Sequence, residues 1–157
     1  MDISRIYYDA CQFEETAGFL SHQISLPLAR PPVIAFVVNA TFSIELFLKC
    51  LIVIETRKKP KRIHDLHELY RMLSRESQTA VNDEFLKIVA LSPLLNIPDF
   101  PSDNLQGGVE SVLKGMDDAF VKWRYSSMGM TKSYNVSFTK EIITSIKVRI
   151  NSIYSIQ

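Results

Sequence analysis

The sequence predicts an all-α fold, one domain over residues 1–157 built as an antiparallel bundle of five or six helices. Apolar residues recur at three- and four-residue steps through most of the chain, the spacing that lines one face of a helix. Prolines fall in the segments between those stretches, where a missing N–H costs no helical hydrogen bond. Hydrophobic residues make up 46% and charged residues 22% of the 157, a globular balance. A chain of that length buries roughly two thirds of its unfolded surface without disulfides or metals.

Taking the elements in order, Ile3, Ile6, Tyr7, Ala10, Phe13, Ala17 and Leu20 place a first helix over residues 3–23. The segment SLPLARPP, with three prolines, ends it in a loop. Residues 33–54 are the most apolar run, long enough at about 1.5 Å per residue to cross a bilayer. Glu45 and Lys49 sit near its middle, where each would cost a few kcal/mol in hydrocarbon, so a core helix packed on nearly all sides is expected instead. Thr41, Glu45 and Lys49 lie four apart on one polar stripe of that helix, and Asn39 and Ser43 form another.

Leu66, Leu69, Tyr70 and Leu73 give a short helix over residues 64–73, with Asp65 and Glu68 at the spacing of an N-cap and its reciprocal partner. Val81, Phe85, Ile88 and Val89 place the next over residues 77–91. Residues 92–108 carry three prolines and two adjacent glycines, and form a loop longer than a plain connector needs. Val109, Val112, Leu113, Met116, Ala119, Phe120 and Trp123 make the cleanest helical stripe in the chain. The last element, residues 138–156, fits a helix through Ile142, Ile146, Ile150 and Ile153, but Ile146, Val148 and Ile150 also alternate as in a strand. Its length favours the helix.

A net charge of +1 gives no field to steer a polyanion, so any nucleic-acid contact has to come from a local patch. The stretch RKKPKR, residues 57–62, supplies one: five cations in six residues. Arg57, Lys58, Lys59, Lys61 and Arg62 could hold phosphate beside a helix start, whose free N–H groups favour anions, although Asp65 puts a negative charge at that start. A solvated loop is the competing account. Cys11 and Cys50 have neither CxxC spacing nor neighbouring histidines, and are expected to be reduced and buried. The opening MDISRIYYDACQF lacks a basic, then apolar, leader pattern, so a cytoplasmic setting is expected.

His64 and His67 are three apart and lack a convincing third ligand, so no metal or cofactor is expected. A ring of His64 bridging to Glu45 or to a backbone carbonyl is the structural alternative. Glu45 and Lys49 form either an i to i+4 pair or, with His64, the polar floor of a ligand site under the 92–108 loop. Arg124 ends the cleanest helix beside Tyr125, where it either complements the helix dipole and stacks, or offers a planar fork to phosphate.

In order, AFVVNATFSIELFLKCLI, a basic loop, HDLHELY and a helix ending WRY resemble the HEPN family of helical-bundle proteins, in which an ELxLK-like helix precedes an HDL motif. The likeness covers residues 33–73 and resumes at 119–125. It implies a bundle that dimerises through its polar-motif face, in toxin–antitoxin, phage-defence or other nucleic-acid-linked systems. Many members are metal-independent RNases with an Arg-x(4 to 6)-His motif, in which arginine stabilises phosphorane-like charge and histidine moves protons. This chain departs from that pattern: no histidine follows Arg124. Arg62 with His67 and Arg57 with His64 match by spacing but lie elsewhere, and Tyr70 comes one residue too late for an Arg-x4-His-x-Tyr motif. The expectation is a homodimeric binding or assembly module with RNA or a cognate protein as partner and no membrane. The alternative is an endoribonuclease using Arg124 or Arg62 with His64 or His67.

Overall fold

The structure is a computed structural model that describes residues 2–27, 29–60, 62–96, 105, 107–116 and 138–156. All regular structure among them is helical. The elements are α1 (Ile3–Ile24), α2 (Val33–Thr56), α3 (Leu66–Arg71), α4 (Arg75–Ala90), a 3-10 turn (Pro93–Asn96), α5 (Gly108–Gly115) and α6 (Thr139–Ile153).

Side chains fix most of the helix ends. Asp2 Oδ1 accepts from the Arg5 N–H at 3.1 Å to start α1. α2 stops at Arg57, which takes the left-handed conformation (φ 56°) and donates its N–H to Val53 O at 2.9 Å, a role more often given to glycine. Ser74 accepts from the Ser77 N–H to start α4, and is itself held by Glu55, which accepts the Ser74 N–H at 2.9 Å and its hydroxyl at 2.6 Å. α5 begins on Gly108 at φ +60°, where an added Cβ would stand 1.9 Å from Asn82 Oδ1. That oxygen accepts the Val109 N–H at 3.1 Å, so Asn82 of α4 caps α5 from across the bundle.

Paired residues give the helix directions. Ser43 Oγ donates to Ala10 O, the rings of Tyr7 and Phe47 meet at 5.4 Å, and those of Phe13 and Phe42 at 4.5 Å. Numbers rising along α1 pair with numbers falling along α2, so the two are antiparallel. Arg149 of α6 donates to Ser77 Oγ at 2.8 Å while Phe138 meets Phe85, which makes α4 and α6 antiparallel too. α2 and α6, by contrast, run parallel: Lys147 lies over Phe47, and Arg57 lies over Tyr154 just past the end of α6. The core gathers around α2, with Phe47, Leu48, Leu51, Phe85, Leu113, Ile142, Ile146 and Ile150 fully buried.

By length and composition α2 could cross a membrane, yet 72% of its most apolar stretch is buried inside the bundle. That is the packing expected of a core helix. The final element is a helix, with Ile142, Ile146 and Ile150 inside and Val148 44% exposed, which removes the strand alternative. α3 starts at Leu66, two residues after the expected 64, because Asp65 serves as its cap. Cys50 is buried as expected, but Cys11 is only half-buried, since it borders a cavity beside α6; both thiols are free. Ala119, Phe120 and Trp123 of the sequence stripe lie outside the described residues, as does most of the 92–108 loop.

Candidate functional site

Glu45 is the centre of a buried polar constellation. Its side chain is 2% exposed, and an unpaired carboxylate in that position would be strongly disfavoured. Lys49, one turn later on α2 and 13% exposed, brings Nζ to 2.6 Å from Oε1. His64, in the segment before α3, places Nδ1 3.1 and 3.2 Å from the two carboxylate oxygens, where an Nδ1–H donates to them. The His64 ring is 56% exposed, so the constellation runs from the core to the surface. Two expectations meet here: the i to i+4 pair and the His64 bridge to Glu45 are both present.

The rest of the polar stripe has other work. Thr41 returns its hydroxyl to Val37 O at 2.8 Å, and Asn39 donates to Ala35 O at 2.7 Å, so both are satisfied within their own helix. Ser43 ties α2 to α1 through Ala10 O at 3.1 Å.

His67 has a different partner. Its Nε2 lies 2.9 Å from Glu110 Oε1 of α5, with Arg71 Nε 3.9 Å from the same oxygen. The two histidines therefore engage carboxylates on two different helices, His64 holding the loop onto α2 and His67 holding α3 against α5. Glu110 does not stand out in the sequence, because 43 residues separate it from His67 and no local spacing links them. Tyr70 donates its hydroxyl to Gln78 O at 2.7 Å, and burial, helped by the charges of Glu110 and Asp83, pushes that phenol well above its ordinary value. It is a neutral structural anchor.

Around the constellation lies the basic loop. Arg57, Lys58, Lys59 and Arg62 are all exposed, and the Arg57 guanidinium also stands 5.7 Å over the ring of Tyr154. Asp65 Oδ1 accepts the Glu68 N–H at 2.7 Å, so the cap itself supplies the negative charge at the start of α3. Lys61, Arg124 and Tyr125 lie outside the described residues. Among the described residues no group of three or more His, Cys, Asp or Glu side chains is placed to hold a metal ion. No protein-family model, curated protein or solved structure matches the chain.

Proposed function

We propose that this chain is a HEPN-like binding and assembly module of a nucleic-acid-linked system, acting as a homodimer without nuclease chemistry. The observation that carries this reading is the separate engagement of His64 by Glu45 and of His67 by Glu110. A pair of histidines acting on one scissile phosphate has to converge on it, whereas these two are turned to carboxylates on two different helices, bracing a loop and a short helix. What the bracing holds out to solvent is Lys58, Lys59 and Arg62, a polyanion contact of the kind that phosphates recognise by charge alone. Phe19, Leu26 and Ile34, exposed at one end of the α1–α2 hairpin, offer apolar surface for a second copy.

A second reading, metal-independent RNA cleavage, is favoured by one feature. Buried Glu45 orients the exposed His64 ring close in sequence to Arg62, the carboxylate–histidine relation that general bases use. The two readings separate on a fluorescent single-stranded RNA incubated with the protein and EDTA. The module leaves the RNA intact and retards it on a native gel. Cleavage that disappears in folded His64→Ala would instead establish the nuclease.

A further inference from the structure

The helix directions sort the surface by position along the bundle. α1 runs against α2, while α6 runs with α2 and against α4, so the end of α1, the starts of α2 and α6 and the end of α4 share one end of the molecule. The basic loop leaves α2 at the other end, about 36 Å away at roughly 1.5 Å per residue over the 24 residues of that helix.

Five large apolar side chains are exposed at the first of these ends. Phe19 (64%), Leu26 and Ile34 lie on the α1–α2 hairpin, and Leu91 (86%) and Leu95 lie at and just after the end of α4. The start of α6 joins the two groups: Lys140 borders both a hollow lined by Phe36 and Ile143 and a second lined by Leu91 and Pro93. At roughly 200 Å² for one whole large side chain, the five expose on the order of 500 Å² of apolar surface. That is near the upper limit of what a monomer leaves bare, and with its flanking residues it approaches the roughly 800 Å² per partner of a stable interface.

The charges at this end select the occupant. Arg30 and Lys140 are accompanied by Glu15 and Glu141, so the surface has no excess of cations to draw a polyanion. Mixed signs do suit a second copy, because a twofold axis lets a cation of one protomer face an acid of its partner.

We propose that two copies of this chain associate end to end through these apolar ends, which turns both basic loops outward at the far ends of the dimer. The inference rests on the homodimer reading above and fixes the surface that performs it, a different one from the polar-motif face implied by the family resemblance. With α2 spanning about 36 Å in each copy, the loops stand roughly 70 Å apart. Each loop then engages its own stretch of polyanion, and a strand long enough to reach both is held by two linked contacts.

Sedimentation equilibrium together with fluorescence transfer between copies tests it. In a Cys11→Ser background, with Cys50 buried away from reagent, dyes are attached through Thr16→Cys on the apolar half of α1 or through Lys59→Cys in the basic loop, both exposed positions. Mixed donor- and acceptor-labelled protein should sediment as a dimer, with transfer several-fold stronger at Thr16 than at Lys59. Leu91→Lys combined with Leu95→Lys should raise the dimer Kd by about tenfold or more without lowering helicity, as loss of central apolar anchors does. Should that pair not fold, the dye comparison decides alone. A dimer with transfer as strong at Lys59, or a folded lysine variant that dimerises as tightly, overturns the end-to-end arrangement and leaves the homodimer reading standing. A protein that stays monomeric at every concentration overturns both.

Discussion

At the scale of single residues, removing Glu45 is costly because it leaves a lysine ammonium and a histidine without their shared acceptor. Glu45→Ala is expected to destabilise the fold by about 3 kcal/mol or more, the usual cost of breaking a buried ion pair from one side. His64→Ala removes an exposed partner and should cost only about 1 kcal/mol. Urea unfolding with an unchanged m-value measures both, and equal losses would contradict the hierarchy of burial. A second residue-scale prediction concerns the Cys50 thiol, whose pKa is pushed up to about 12 by burial, with Cys11 nearby adding to it. Unfolded, the thiol loses its proton near pH 9; folded, it keeps it, so above pH 9 the native state binds more protons and stability falls as pH rises from about 9 to about 12. Cys50→Ala should flatten that part of the stability–pH curve.

At the scale of elements, Asn82 and Gly108 set how α5 starts against α4. Gly108→Ala forces a Cβ into Asn82 Oδ1 at φ +60° and is expected to cost about 1–3 kcal/mol, with Asn82→Ala losing the Val109 cap on its own. A double-mutant cycle should show the two effects overlapping. This junction also marks where the sequence stops being legible. Interactions set by local spacing are readable: the Asp65 cap on Glu68, the Glu45–Lys49 turn and the isoleucine face of α6 all follow from offsets of three or four residues. Those between distant segments are not. The glycine pair at 107–108 reads like any loop without Asn82 beside it, and His67 gives no hint of Glu110. The parallel course of α2 and α6 is equally hidden, since nothing local encodes which way two helices far apart in the chain will meet. His64 with Glu45 is intermediate, foreseeable as one of two partners because a buried carboxylate and a nearby ring each need one.

At the scale of the molecule, the bundle presents two surfaces with separate predicted roles. Apolar Phe19 and Ile34 should hold two copies together, and Phe19→Asp with Ile34→Asp should shift sedimentation equilibrium toward monomer without lowering helicity. The basic loop braced by His64 should engage phosphates through Lys58, Lys59 and Arg62. The most direct test of that claim is the slope of log affinity against log salt concentration for a fluorescent single-stranded RNA, read by anisotropy with EDTA present. The binding-module account predicts intact RNA and a slope about 2 smaller in the triple alanine variant of those three residues, because each phosphate left unneutralised lowers it by roughly 0.7. An unchanged slope, or RNA cut to fragments by the wild type, would contradict it.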